Sequence, residues 1–467
     1  MKRTPAFHIA IGMVVVLGAS FAGSVQRNVK QWGKKPRYTC NRTFPTNSAP
    51  TTSAADDADR TLIVKYRASA SKLSIEGLLK RLHMREEASY PNLPRFSFQQ
   101  VESGDIESVI AELKADPNVE YVERNLKFQK DDTQPNDPDF LKQWGHFNNG
   151  QPVNGGRSGK SGVDIGALTA WDTTTGSDKI VVGVIDTGID YTHEDLVDNM
   201  WVNDREIPNN GKDDDNNGIV DDYYGFNAVK NSGNPMDDQG HGTHCAGIIG
   251  AKGDNGAGIA GVNWNVRLMA LKFLDENGSG RLNDALECVN YAVAMKKRGV
   301  NLRVLSNSWG GGGYSRALED AIKLANDNDI LFVAAAGNDA SNNDRYPHYP
   351  SSYDVPNVVS VAALDANDGL ASFSCYGKKS VHLAAPGVDV YSTVPAAEYG
   401  TGYMHFSGTS MATPYVSGAA ALVLAKNPKL TTKELKARLL DSTVPVAELK
   451  GKTVTGGRLN VAQALAR

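Results

Sequence analysis

From Lys179 onward the chain repeats one pattern, in which a short apolar run is followed by a turn, a helical periodicity and another apolar run. The runs are 180–185, 266–271, 303–306 and 330–336, and the helical patterns between and after them are 242–249, 283–296 and 315–326. A strand that is apolar on both faces must be covered on both faces, and a helical crossover makes the strands that it joins parallel. The pattern therefore predicts an α/β body with a mostly parallel central sheet between two helical layers. In such a sheet chemistry collects beyond the carboxyl ends of the strands. The polar residues that close each run deserve to be read as a group.

Four of them form a chemical set. Asp186 closes the first run within Val184-Ile-Asp-Thr-Gly188, and His241 opens a helix in Gly240-His-Gly-Thr-His-Cys-Ala-Gly247. Asn338 follows the run 331–336 through Gly337, and Ser410 lies in Phe406-Ser-Gly-Thr-Ser-Met-Ala-Thr-Pro414 at the start of a buried helix. Singly, Asp186 and Ser410 read as caps, and His241 with His244 as a metal-binding pair that lacks the glutamate of a zincin. Together they answer a need. A serine hydroxyl is a weak nucleophile until an imidazole takes its proton, and the imidazole needs a carboxylate to fix its tautomer and support its charge. Asn338 supplies an amide donor where a tetrahedral oxyanion would form, and the Ser410 N–H, at a helix N-terminus, supplies a second.

The chain ahead of the body is organised differently. Residues 1–22 have a signal-peptide layout, with Lys2 and Arg3, an apolar run over 9–19 and small Ser20 and Ala22 before a cut; an uncleaved anchor is the alternative. Residues 23–59 are basic and then rich in Ser, Thr and Pro, as a linker is. Within 60–130, stretches 61–66, 95–101 and 119–123 alternate like strands, and 75–82 and 106–115 have helical spacing. With three of its four strands showing as alternation, the segment reads as a β-α-β-β-α-β, ferredoxin-like α+β unit without a cluster of catalytic residue types. Residues 131–136 lie in a charged, Pro-punctuated processing segment, and 137–467 form the body. Residues 1–136 hold 20 basic and 15 acidic side chains and the remainder 29 and 38, a split that suits two docking parts or simply solubility. The four cysteines, Cys40, Cys245, Cys288 and Cys375, follow no metal spacing and are expected to be free and buried, with a Cys288–Cys375 bridge left open. Asn41 and Asn277 begin glycosylation sequons.

On the motifs Val184-Ile-Asp-Thr-Gly188, His241-Gly-Thr-His-Cys-Ala-Gly247, Ala334-Ala-Ala-Gly-Asn338 and Gly408-Thr-Ser-Met-Ala412, the chain resembles the subtilisin family of serine endopeptidases, in its thermitase-like branch, from about Asn136 to Leu465. The resemblance implies a subtilisin-like three-layer fold, a triad of Asp186, His241 and Ser410, and Asn338 as oxyanion donor. The front unit is similar to a subtilisin propeptide, which implies a zymogen whose propeptide assists folding, inhibits, and is cut away between about Phe128 and Asn136. Cys245, four residues beyond His241, is then a packing thiol through which mercurials would crowd His241.

The same resemblance implies a groove in which an extended peptide adds a strand between Gly278, Ser279 and Gly280 on one side and Ser308, Trp309 and Gly310 on the other. The pocket for the residue before the cut bond would be lined by Ala335, Ala336 and Gly337, with His348 near its base where family members often have a small residue. Calcium is expected twice. Asp213, Asp215, Asn217, the Ile219 carbonyl and one of Asp221 or Asp222 place oxygens around Gly218 much as an EF-hand loop does, although Tyr224 stands where the bidentate Glu would be. The resemblance implies a second site from Asp137, Asp195, Asn255 and the carbonyls of Lys252, Ala257 and Ile259.

With 49 basic against 53 acidic residues and no basic cluster in the body, nothing supports nucleic-acid binding, and none is expected. The expected partners are protein or peptide substrates and the chain's own propeptide, without stable membrane association, in a secreted monomer. A catalytically silent peptide- or calcium-binding relative is disfavoured by the intact set of four, and an esterase by the absence of Gly-X-Ser-X-Gly around Ser410.

Overall fold

The computed structural model describes residues 60–90, 92–126 and 133–467. The signal-peptide and linker readings, Cys40, Asn41 and the processing segment up to residue 132 lie outside the described residues. The chain divides into two compact units, 1–129 and 130–467.

The front unit follows the expected order: β1 (Thr61–Tyr66), α1 (Lys72–Arg81), β2 (Met84–Tyr90), β3 (Leu93–Val101), α2 (Ile106–Ala115) and β4 (Val119–Arg124). The four strands form an antiparallel sheet in the order β2-β3-β1-β4. Alternation in β1 buries Leu62, Val64 and Tyr66, which join Leu78 of α1 and Val109, Ile110 and Leu113 of α2 in one core. Both helices have conventional starts: Ser71 and Ser74 form a capping box for α1, and Asp105 accepts from Ser108 N at the head of α2.

The body contains β5 (Gly176–Asp186), β6 (Gly225–Asn227), α3 (His241–Gly250), β7 (Asn265–Lys272), α4 (Leu282–Lys297), β8 (Leu302–Asn307), α5 (Arg316–Asp327), β9 (Leu331–Ala335), β10 (Val358–Leu364), β11 (Leu383–Pro386), β12 (Val390–Thr393), β13 (Tyr403–Phe406), α6 (Thr409–Lys426), α7 (Thr432–Asp441), β14 (Val444–Pro445) and β15 (Gly457–Arg458). Nine of the strands make one sheet in the order β14-β15-β11-β10-β9-β8-β5-β7-β6, parallel except between β14 and β15. Its apolar runs are two-sided, as expected. Along β5, Ile180, Val182 and Val184 enter the core shared with α3 and α6, whereas Val181 and Ile185 enter the core shared with α4 and α5.

The topology also fixes where a site belongs. After β5 the chain adds β7 on one side, then crosses to β8 on the other and continues outward to β11. β5 is thus the strand at which the winding reverses, and the crevice beyond its carboxyl end is the place for a ligand. Asp186 is the last residue of β5, and Ser308 directly follows β8.

Candidate active site

Asp186 is fully buried, and its Oδ1 accepts from Thr187 N at 2.8 Å and from His241 Nδ1 at 2.7 Å. His241 reaches it because α3 packs directly on the turn after β5. A methyl group on Gly242 would collide with the Gly188 carbonyl, and Thr187 Oγ1 accepts from Gly242 N at 2.8 Å. Asp237 starts α3 from outside, with Oδ1 accepting from Gly240 N and Oδ2 from Thr243 N, each at 2.9 Å. With Nδ1 donating to a carboxylate, the bare lone pair of the neutral ring is on Nε2. Burial opposes the imidazolium, but the charge of Asp186, its hydrogen bond and the charge of Asp237 outweigh it, and the His241 pKa stands above the usual 6.5.

The other histidine of the motif is structural. His244 is buried with Nε2 shared between the carbonyls of Val390 and Met404, each at 3.1 Å, and burial drives its pKa down to about 3. It faces away from any shared metal with His241.

Ser410 is the second residue of α6, so its N–H has no partner within the helix. Its Oγ donates to the Ser308 carbonyl at 3.0 Å. Pro414 lacks the N–H that would otherwise bond the Ser410 carbonyl, and that freed carbonyl accepts from Ser308 Oγ at 2.8 Å and from Cys245 Sγ at 3.5 Å. The proline thus leaves a handle by which the serine is tied to the neighbouring segment. Asn338 is exposed, and its Oδ1 accepts from Thr409 N at 2.9 Å and Thr409 Oγ1 at 3.0 Å, which turns Nδ2 outward. A Cβ on Gly408 would lie 3.5 Å from Ser410 N and 3.7 Å from Asn338 Nδ2. Both nitrogens thus lie beside the position that this glycine leaves without a side chain, a spacing that suits two donors to a developing oxyanion.

Cys245 lies with Asp186 and His241 within 4.8 Å, ligand atom to ligand atom. Burial and then the Asp186 charge raise its pKa far above that of an ordinary thiol, so it stays protonated and unreactive. Cys288 and Cys375 are also buried free thiols, in separate cores, and no bridge joins them.

A groove of about 850 Å³ runs from His241 between Gly278, Ser279 and Gly280 and the segment Ser308, Trp309 and Gly310. Asn277 lines the same rim, so a glycan on its sequon would stand over the groove. The rim is organised by Asp275, a residue the sequence did not single out: its Oδ1 accepts from Asn277 N at 2.9 Å and Ser279 N at 3.0 Å. Those backbone bonds, that of Ser279 first, hold its pKa below the usual carboxylate range. Ala335, Ala336 and Gly337 are buried beside Asn338, and the His348 ring stands between Gly310 and Gly337.

The two acidic regions differ in how they meet expectation. Asp137 and Asp195 are buried together; Asp195 accepts from Asn255 Nδ2 at 2.9 Å and Ile259 N at 2.8 Å, and Asp137 from Asp254 N at 2.7 Å. Burial raises both pKa values, and for Asp137 the charge of Asp195 adds to the rise. Two carboxylates that disfavour one another's charge beside an amide fit a hard cation. In the loop, Asp221 is turned away, its oxygens accepting from Asn210 N and Gly211 N at 2.9 Å. Asp222 is committed to Tyr291 Oη at 2.6 Å and Asn203 Nδ2 at 3.0 Å, and Asn217 Nδ2 also points at it at 2.6 Å. The cluster that forms is instead Asp213, Asp215 and Glu206, the last unanticipated, and Asp215 Oδ1 and Glu206 Oε2 are buried without a partner. That donor set also fits a hard cation, with Glu206 in place of Asp221.

Among the described residues no helix is long and apolar enough to cross a membrane. The profile of the Subtilase family matches residues 177–462, and that of the Fervidolysin N-terminal prodomain matches 45–125. The chain is 38% identical over 328 residues to Subtilisin-like protease 1 of Plasmodium falciparum, covering 65% of this chain and 46% of that one. It is 38% identical over 330 residues to the Thermophilic serine proteinase of Bacillus sp. strain AK1, covering 70% and 69%, and 37% identical over 331 to the Cell wall-associated protease of Bacillus subtilis, covering 71% and 32%. The chain spans about half the length of the Plasmodium relatives that it matches. A solved protease of Pseudoalteromonas arctica superposes with a TM-score of 0.57 and 28% identity over 72% of this chain and 99% of its own.

Proposed function

Because the chain belongs to the subtilase family and carries a prodomain, we propose that it is a secreted, calcium-stabilised serine endopeptidase made as a zymogen. Asp186, His241, Ser410 and Asn338 are its catalytic residues in this reading. The observation that carries it is the buried Asp186–His241 hydrogen bond at 2.7 Å at the strand where the winding reverses, beside a serine that heads a helix.

The Ser410 hydroxyl leaves the Ser308 carbonyl, gives its proton to His241 Nε2 and attacks the peptide carbonyl. Asp186 supports the imidazolium so formed. The carbonyl oxygen, now an anion, is met by Ser410 N–H and Asn338 Nδ2. His241 then passes the proton to the departing amine, leaving an acyl-serine, and the same steps with water in place of the serine release the acid. The groove residues Gly278, Ser279, Gly280, Ser308, Trp309 and Gly310 present backbone to an extended peptide, with Ala335, Ala336, Gly337 and His348 beside the cut bond.

For calcium, Asp137, Asp195, Asn255 and the carbonyls of Lys252, Ala257 and Ile259 would hold one ion, and Asp213, Asp215, Asn217 and the Ile219 carbonyl, with Glu206 taking the place of Asp221 or Asp222, a second. The ions supply positive charge that removes the mutual repulsion of these carboxylates. Residues 60–130 act as the inhibitory propeptide, and secretion follows from the leader reading of 1–22 and from relatives such as the Cell wall-associated protease.

The test is intact mass and N-terminal sequence of the full chain, wild type beside Ser410→Ala, with calcium present. The wild type is expected to lose its front piece between Phe128 and Asn136 while the variant keeps it. Equal processing of both, or a wild type that stays whole and cuts no peptide, overturns the reading.

A further inference from the structure

The space between the segments 308–310 and 335–337 adjoins the reacting serine. Ser410 Oγ is bonded to the Ser308 carbonyl at 3.0 Å, and Gly337 N donates to Thr409 Oγ1 at 3.2 Å, so both walls are fastened to the first two residues of α6. His348 fills this slot. A Cβ on Gly310 would overlap His348 Cε1 and lie 2.5 Å from Nε2, while a Cβ on Gly337 would lie 2.8 Å from Cδ2 and 3.0 Å from Cγ. The ring therefore spans the slot from wall to wall, and only because both walls are glycine at that level.

The two contacts of Ser351 Oγ assign the ring proton to Nδ1. Ser351 Oγ has a single hydrogen, which it donates to the His348 carbonyl at 2.9 Å. Its 3.2 Å contact with His348 Nδ1 can then be a hydrogen bond only if Nδ1–H is the donor. In the neutral ring Nε2 is left as an acceptor, on the edge that faces Gly310. Burial lowers the His348 pKa despite the opposing charge of Asp339, which keeps the ring neutral near pH 7.

We propose that His348 determines specificity: the residue preceding the cut bond must be short and must donate a hydrogen bond to His348 Nε2, as asparagine does. This rests on the endopeptidase reading above. A long apolar or aromatic side chain meets the ring before it can seat, leucine leaves the lone pair unpaired, and aspartate presents an anion to it.

The experiment uses matched peptides that differ only at that residue, Asn, Leu, Asp or Phe, with mature wild type, His348→Phe and His348→Gly. For the wild type kcat/KM is expected to favour Asn over Leu and over Asp by about tenfold, the discrimination of one partly buried hydrogen bond. His348→Phe keeps a ring in the slot but has no acceptor, so the Asn:Leu ratio falls to about one. His348→Gly empties the slot, and the Phe peptide becomes a better substrate than the Asn peptide. A wild type that cuts the Leu peptide as fast as the Asn peptide, or an Asn:Leu ratio unmoved in both variants, overturns the proposal. A wild type that cuts none of the four and an unrelated protein substrate no faster than Ser410→Ala does sinks the endopeptidase reading, and this proposal falls with it.

Discussion

The two units solve the problem of chain closure in opposite ways. In the front unit every pairing is antiparallel, and the most distant strands to meet, β1 and β4, join Leu62 to Arg124. In the body β5 pairs with β8 across a helix-bearing segment, Val181 opposite Leu302, and within the nine-stranded sheet every pairing but one is parallel. Long-range parallel pairing must meet its loop-closure cost before its contacts form, and it folds slowly for that reason. The front unit can assemble from near neighbours. If the front unit serves as a propeptide, its antiparallel near-neighbour pairing suits a domain that can be ordered ahead of the slower-closing parallel sheet that carries Asp186.

The sharpest way to separate the units is to remove chemistry from the body without touching stability. Asp186→Asn should lower kcat by about ten-thousandfold and Asn338→Ala by about a hundred- to a thousandfold, sizes known for other serine proteases with this arrangement, subtilisin among them. Thermal unfolding should shift only modestly for Asn338→Ala, whose exposed side chain gives up its bonds from Thr409 N and Thr409 Oγ1. Steady-state kinetics alongside calorimetry read both. An Asn338→Ala enzyme with full kcat would show that Asn338 Nδ2 does not meet the reacting oxygen.

The converse cut removes stability from one unit alone. Leu113 is fully buried in the front core and Leu422 in the body core, and either Leu→Ala change should cost about 2–5 kcal/mol. In a domain as small as the front unit that is most of the available stability, whereas the larger body should keep a cooperative transition at lower temperature. Two-probe denaturant melts would show it. If Leu113→Ala leaves the front transition in place, the two units are closer in stability than their sizes suggest.

How much of this could be read in advance follows the same divide. β1 and α2 were legible residue by residue, because alternation in one and capped helical spacing in the other are local signals. β2, Met-Arg-Glu-Glu-Ala-Ser-Tyr, gave no such signal, since an edge strand with polar side chains gains its shape from its partner β3. In the body, Asp186, His241 and Ser410 could be singled out in the sequence because each stands in a distinctive motif, Asp186 at the end of an apolar run and the other two at helix starts, but the Ser410 carbonyl freed by Pro414 becomes meaningful only once Ser308 is beside it. Glu206 escaped notice since it lies outside the alternate spacing of the acidic loop, and spacing could not show that the Asp221 oxygens, at a residue with φ +54°, serve Asn210 N and Gly211 N. Asp275 and the fully buried Lys272, whose amine joins Thr187 O, Leu274 O and Asp238, act through folded neighbours that spacing cannot reveal.

Metal removal gives a moderate effect that should again fall on one unit. If the two acidic clusters hold calcium, chelation should destabilise the body by about 3 kcal/mol for each site that had been at a hundredfold excess over its Kd, and leave the front transition alone. Glu206→Gln should weaken binding at the loop site, read by calorimetric titration of calcium into the Ser410→Ala chain. Asp221→Asn should have less effect, since its oxygens serve Asn210 N and Gly211 N. Equal losses for the two variants would return Asp221 to the ligand set.

The smallest expected effect concerns the charge balance at His241, and it tests whether the body's reactivity is tuned by groups beyond the triad. His241 must be neutral to accept the serine proton, so activity rises as pH passes its pKa. Burial lowers that pKa, but Asp186 and then Asp237 raise it further, so the acidic limb of kcat/KM should lie above 6.5. Asp237→Asn removes one negative charge and keeps one acceptor oxygen, so either Gly240 N or Thr243 N gives up its partner. The imidazolium then loses support, and the limb should move down by less than about one unit, making the variant relatively more active near pH 6. A structural disturbance would instead lower activity at every pH and leave the midpoint where it was. A limb that moved upward would mean that Asp237 acts on His241 through the start of α3 rather than through its charge.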